Sequence, residues 1–427
     1  MNALFLSHPV QILIPYLNLH EAFNFRQINR FCLNQTQISV RINIEFKSWD
    51  WAIVLHSIFP NIKLHGRLIH EIPAIELPLI ESLKQPRFPS QEFLLYQTKL
   101  TKLSLQCILH PKIPSNAFVS SPNLSHLTMQ NFGHKHSFYD ILSGNLPNLT
   151  SLNLTGHTKD TSYDWVNSYT NLTALALSFS NIEYLSIYAL TKLTSLTLES
   201  GLPVNLYCNF SKLVQLSLGS RDRAGNFSYT FNLRECTNLE SFSLESVRIN
   251  TLSDIYSLTR LTFLSLWRQT KIDLKLLGLI TALQTLRITE CKYTDEQIGT
   301  LTNLTQLTLN FCRLTLNSFS NMYKLQILNN YASIDFSKGA ITYLRTLRQM
   351  DVGNCNSDHK KYFLSLTNLT HLSIEDEEFT EQELRKFPKL RVLNQSFSNP
   401  KRKLRVEKYK NLIARGLVIK LKIAIEN

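Results

Sequence analysis

Glycine is scarce, 12 of 427 residues, so loops that cradle phosphates on glycine-rich turns have little raw material. The seven cysteines, Cys32, Cys107, Cys208, Cys236, Cys291, Cys312 and Cys355, are odd in number and never form C-x-x-C. That pattern supports neither a disulfide framework nor a zinc knuckle and suits a reducing compartment. No apolar run reaches transmembrane length. The first 25 residues lack Lys and Arg and are interrupted by Ser7, His8, Pro9, Gln11, Pro15 and Asn18, so no signal peptide is expected. A Walker loop, G-x-S-x-G, H-E-x-x-H and the kinase motifs are all missing. The chain is therefore expected to carry no active site, no cofactor and no resident metal. His134 and His136, with His126 nearby, read as surface histidines rather than ligands.

What is present is a folded composition, 44% hydrophobic and 18% charged, which argues against long disorder. The formal charge of +13 is concentrated at one end. From Arg385 onward thirteen Lys or Arg face two acids, Glu407 and Glu426, which leaves the preceding 384 residues close to neutral. The basicity belongs to the tail. Because the repeats spell no basic stripe, nucleic acid is not expected as their partner.

A pattern of L-x-x-L-x-L begins at Leu100 and returns at Leu124, Leu149, Leu172, Leu193, Leu213, Leu239, Leu261, Leu283, Leu304, Leu325, Leu347, Leu369 and Leu390. The period settles at 21 or 22 residues from Leu239 onward, as in leucine-rich repeats. Alternation in the second half of the motif sends two apolar residues to one face of a short strand and polar residues to the other. Three buried leucines contribute roughly 1.5–3 kcal/mol each, whereas ordering about twenty residues costs about 1–2 kcal/mol apiece. One repeat cannot fold alone, so the copies must stack into an α/β solenoid, the leucine-rich-repeat horseshoe. The many N-L-T and N-L-S triplets read as by-products of that pattern rather than glycosylation signals.

Cys291, Cys312 and Cys355 fall on the ninth position of their repeats, where Asn or Cys makes the inward turn, and read as buried structural thiols. The stretch from Cys291 to Cys312, CKYTDEQIGTLTNLTQLTLNFC, closely resembles the cysteine-containing repeats of F-box/leucine-rich-repeat proteins. The N-terminal segment places Ile14, Leu17, Ala22, Phe25, Ile28 and Phe31 at helical intervals. With Pro9, the Tyr16-Leu17 pair, Leu19, Phe25-Arg26 and Ile28-Asn29-Arg30-Phe31, it resembles an F-box. The resemblance implies a short all-α N-terminal cap. It also implies binding of a Skp-family adaptor of a cullin-type (SCF) ubiquitin ligase through Pro9, Ile14, Leu17, Leu19, Phe25, Ile28 and Phe31, with the repeats recruiting a protein substrate. The plain alternative is a helical solenoid cap on an interaction scaffold with no role in ubiquitination.

The expected organisation is an F-box-like helical segment over 1–50 and a connecting region with degenerate repeats over 51–99. About fourteen repeats follow over 100–398, then a basic C-terminal cap over 399–427. In the cap, VEKYKNLIARG reads as a helix stopped by Gly416, and Ile419, Leu421, Ile423 and Ile425 alternate as in a strand. PKRKLR at 400–405 fits a solvated basic patch, with nuclear targeting as the functional alternative to a cytoplasmic location. Were the source an intracellular bacterium, delivery to the host cytosol would serve the same role.

The third, fifth and seventh motif positions should face the concave surface. The middle file is mostly small and polar, from Ser104 and Thr128 to Ser373 and Asn394. Against it stand Phe263, Trp267, Arg287, Tyr331 and His371, with Arg268 just beyond its strand. Exposed Trp, Tyr and Arg concentrate binding energy at protein interfaces, so these six residues form the expected partner-binding face.

Overall fold

The computed structural model describes residues 41–46, 63–68, 80–85, 100–106, 118, 121–132, 137–142, 146–156, 162–179, 182–208, 210–220, 227–249, 252–268, 272–331, 334–335, 341–353, 363–375, 379–397 and 409–423. The chain divides into two units, Met1–Asn209 and Phe210–Asn427.

In the first unit the strands are β1 (Arg41–Phe46), β2 (Lys63–Leu68), β3 (Ile80–Gln85), β4 (Lys102–Gln106), β5 (His126–Phe132), β6 (Ser151–Gly156), β7 (Ala174–Phe179), β8 (Tyr184–Ser186), β9 (Ser195–Ser200) and β10 (Val204–Tyr207). Strands β1 to β7 and then β9 pair in sequence, every pair parallel. β8 and β10 pair separately. Register puts Leu103, Leu127, Leu152, Leu175 and Leu196 in one file, and Leu105, Met129, Leu154, Leu177 and Leu198 in a second. All ten are at most 2% exposed.

The second unit continues with β11 (Gln215–Ser220), β12 (Phe227–Thr230), β13 (Ser241–Glu245), β14 (Val247–Ile249), β15 (Phe263–Trp267), β16 (Thr285–Thr289), β17 (Gln306–Asn310), β18 (Leu314–Thr315), β19 (Ile327–Tyr331), β20 (Ile334–Asp335), β21 (Gln349–Gly353), β22 (His371–Glu375), β23 (Val392–Phe397) and β24 (Val418–Ile423). Its main parallel ladder runs β11-β13-β15-β16-β17-β19-β21-β22-β23-β24. One apolar file is Leu216, Phe242, Leu264, Leu286, Leu307, Leu328, Met350, Leu372 and Leu393. The neighbouring file is interrupted by Asn330 and Gln395, both buried. Of the fourteen leading leucines, Leu100 to Leu369 are buried and Leu390 is half-buried.

Parallel strands thus begin at Arg41, well before the first full motif at Leu100. β1 is extended within the segment expected to be helical, and β2 and β3 lie in the expected connecting region. Pro9, Ile14, Leu17, Leu19, Phe25, Ile28 and Phe31 lie outside the described residues. At the other end α-helical residues Lys410–Ala414 lead to Gly416, whose φ of 94° is the left-handed turn that glycine tolerates. β24 then adds one more parallel strand rather than closing the sheet off.

The return paths differ from the expected α/β alternation. They contain short 3-10 turns and, among the described residues, helices of only four or five residues, such as α1 (Phe138–Leu142), α2 (Leu274–Leu277), α3 (Asp295–Gly299) and α4 (Glu381–Leu384). A repeat of 21 or 22 residues that spends five on a strand leaves too little chain for a longer helix. Capping boxes start α3, through Thr294 and Gln297, and α4, through Thr380 and Glu383.

Stacking is stitched by side chains that the sequence pattern left without a role. The Asn of N-L-T donates back to the preceding repeat: Asn148 to the Pro122 carbonyl at 2.9 Å, Asn238 to Ser211 and Asn368 to Arg345, both at 2.7 Å. Its oxygen accepts from a cation one repeat on, Lys192 to Asn171 at 2.6 Å, Arg260 to Asn238 at 2.7 Å, Lys324 to Asn303 at 2.8 Å and Lys389 to Asn368 at 2.7 Å. The Thr hydroxyl also donates backward, as from Thr150 to the Ser125 carbonyl at 3.0 Å and Thr370 to Arg348 at 3.0 Å. Asp295, in the first turn of α3, makes a further tie. Its carboxylate accepts from the Thr315 N–H at 2.8 Å, the Thr315 hydroxyl and the Ser318 hydroxyl at 2.5 Å.

Candidate functional site

Alternation along β13 to β23 leaves the middle file Ser217, Ser243, Ser265, Arg287, Thr308, Asn329, Asp351, Ser373 and Asn394 in register on the face opposite the leucines. A shallow depression of about 460 Å³ opens on this face, lined by Glu245, Trp267, Arg287, Asn310 and Tyr331 among smaller polar neighbours. It holds no His or Cys. Three of the six sequence-selected residues therefore meet at one place.

Trp267 ends β15 and is half-buried. Its indole N–H points at Glu290 Oε1 at 3.4 Å, while the Arg268 guanidinium lies 6.0 Å from its ring centre. Arg268 in turn bonds Glu290 Oε2 at 2.6 Å. Glu290 thus holds both side chains across one repeat step. Arg287 is exposed in the middle of β16, its guanidinium 5.7 Å from the Phe263 ring, and among the described residues no carboxylate pairs with it. Tyr331 donates its hydroxyl proton to Asp351 Oδ2 at 2.9 Å. Burial, and next the Asp351 carboxylate, push its phenol up to about 12, so at neutral pH it remains a donor.

Phe263 and His371 do not line the depression. Both occupy the first position of their strands, about 7 Å along the chain from the middle file and farther from the last position. His371 is also carried away on β22, where its ring faces the Thr370 hydroxyl at 3.0 Å.

Two neighbours escaped the sequence reading. The residue after each strand, Ser246, Arg268, Glu290 and Phe311, has φ of 53° to 56° in four successive repeats. Each of their N–H groups bonds the carbonyl at the end of the next strand, at 2.8–3.1 Å. Such backbone costs about 1–2 kcal/mol for a residue with a Cβ, and the ladder holds it. Phe311 consequently projects 64% exposed beside the depression's rim. A repeat alignment could have marked the column, but the left-handed turn is invisible in residue type.

A second depression, about 620 Å³, lies where chain enters β19, β21, β22 and β23. Lys324, Arg345, Arg348 and Lys389 line it with Tyr323 and hydroxyl and amide side chains, and no carboxylate does. This corrects the expectation of repeats without a basic patch. Its cations sit at different offsets around the leading leucine, in separate repeats, so no contiguous motif spells them.

Cys291 and Cys312 are buried, their thiols directed at the Thr289 carbonyl at 3.2 Å and the Asn310 carbonyl at 3.4 Å. Cys355, His134 and His136 lie outside the described residues. On His126, burial and then Lys102 lower the imidazole below its usual range. Among the described residues no three His, Cys, Asp or Glu side chains come together as a metal site, and no helix is long and apolar enough to cross a membrane.

No protein-family model matches the chain, and no curated protein sequence does. Among solved structures it is similar to an internalin, InlF, of Listeria monocytogenes, at 21% identity and TM-score 0.44 over 75% of this chain and 88% of that one. It is similar also to the functional domain of InlJ from the same species, at 15% identity and TM-score 0.44 over 73% and 66%. A third similarity is to the Toll–Spätzle complex of Drosophila, at 16% identity and TM-score 0.45 over 88% of this chain and 57% of that one. The repeat length, the parallel ladder and the inward leucine files decide the architecture by themselves. The fold is a leucine-rich-repeat solenoid.

Proposed function

We propose that the protein works by holding another protein against the strand face of its second unit, and that it performs no chemistry of its own. One observation carries this reading: Trp267, Arg287 and Tyr331 line a single depression on a face otherwise made of small polar side chains. Aromatic and guanidinium groups clustered in this way are the residue types on which interface energy concentrates. Glu290 fixes the indole and the neighbouring Arg268 before a partner arrives, which lowers the ordering cost of binding. The test uses the full chain as bait beside a Trp267→Ala, Arg287→Ala bait, with retained proteins quantified by mass spectrometry. A protein retained by the first and lost from the second supports the reading; an unchanged set of retained proteins refutes it.

The narrower reading, a substrate-recruiting subunit of a cullin-type ubiquitin ligase, is supported only by the resemblance of residues 1–31 to an F-box. It requires direct binding of a Skp-family adaptor, lost when Leu17 and Ile28 are both replaced by Asp. If the purified adaptor and the unaltered chain do not associate, the protein is an interaction scaffold without that role.

A further inference from the structure

We infer that the basic depression at the entry to β19–β23 is a second binding site, independent of the Trp267 face, for single-stranded nucleic acid. Four cations, Lys324, Arg345, Arg348 and Lys389, converge on one depression that no carboxylate lines. Like charges crowded in a cleft repel one another and focus a positive potential outward. Ordinary solvated cations of this solenoid are arranged differently. Arg260 occupies the same ladder position as Lys324 and Lys389, yet it also pairs with Glu240 at 3.0 Å. Around Lys324 and Lys389 the counter-charge is missing from the lining, while the Asn303 and Asn368 oxygens still hold each ammonium in place. The site is therefore positioned in advance for anions.

Strand spacing of about 4.8 Å spreads these cations over roughly 14 Å across four strands, a row rather than a point. A row suits a chain of phosphates. Tyr323, 66% exposed, stands at the same depression and offers an uncovered ring. Cations that track a phosphate backbone beside an aromatic platform for bases are the combination that single strands use. A membrane surface fits less well, because the lining has no aliphatic side chain to enter lipid. An acidic polypeptide would use the charges but leave the ring without a role.

The experiment is fluorescence anisotropy of the full chain with a labelled twelve-nucleotide oligothymidylate. Binding should weaken with salt, with a log–log slope near −3 for four phosphate contacts. Arg345→Glu with Arg348→Glu should reduce affinity at least tenfold, and Tyr323→Ala roughly fivefold or more. All three positions are exposed, so thermal melting should be unchanged, which separates lost binding from lost folding. Neutralising Lys401, Arg402 and Lys403 in the tail should leave binding intact. The inference is overturned if the charge-reversed protein binds equally or if tail neutralisation abolishes binding. It is also overturned if polyglutamate or phosphatidylserine vesicles compete as well as the oligonucleotide while Tyr323→Ala has no effect.

Discussion

With Trp267 and Arg287 both replaced by alanine, partner capture is expected to fall by roughly thirtyfold or more, the scale of two interface hot-spot residues, while the melting temperature moves by only a few degrees. The asymmetry follows from where the two side chains sit. Arg287 is exposed and packs only against the Phe263 ring, so its loss removes no buried contact. Trp267 is half-buried, but its hydrogen bond to Glu290 is long at 3.4 Å, and Glu290 keeps Arg268 as a partner. A binding partner would cover both groups together, and truncation would leave its own complementary groups unpaired. Isothermal titration with the captured partner and differential scanning calorimetry measure the two effects separately. A capture loss accompanied by a collapse in melting temperature would make Trp267 a packing residue instead.

Replacing Asp295 by alanine should do the reverse, lowering stability by about 2–4 kcal/mol, since hydrogen bonds to a charged acceptor are worth about 1.5–3 kcal/mol each and are not additive. The carboxylate accepts three bonds from the following repeat. One comes from the Ser318 hydroxyl, whose residue is 0% exposed and has no water to turn to. Asp295→Asn should recover part of the loss, because its amide keeps one acceptor oxygen but presents an N–H where donors already converge. Urea unfolding followed by circular dichroism tests the series. A change below about 0.5 kcal/mol for Asp295→Ala would show that the repeats couple through their leucine files alone.

The spine was legible because burying one strand face demands alternation, and the spelling around Leu264, Leu286 and Leu307 leaves one register that buries them all. The same logic placed Trp267, Arg287 and Tyr331 on the open face. It could not tell that Phe263 and His371, at the first strand position, would miss the depression that Trp267 and Tyr331, at the last, help to form. Strands β1 to β3 escaped notice because RINIEF, KLHGRL and IESLKQ carry some alternation without the full leucine motif. Contacts between repeats were hidden for a different reason. Glu290 reaching Arg268, or Lys389 reaching Asn368, joins residues 21 or 22 apart, and only the stacked backbone decides which side chains those are. The basic depression is the extreme case, assembled from Lys324, Arg345, Arg348 and Lys389 with no shared motif position.

The most direct measurement is thiol labelling of the folded protein with single cysteines placed at Ser265 and at its neighbour Leu264. Cys208, Cys236, Cys291 and Cys312 are buried, so labelling is read as the gain over the unaltered chain. Ser265→Cys should add one fast-reacting thiol, slowed when partner is bound. Leu264→Cys, on the opposite strand face, should add none until the protein is denatured. Fast reaction at 264 with protection at 265 would mean that the leucines face outward, and the binding surface described above would not exist.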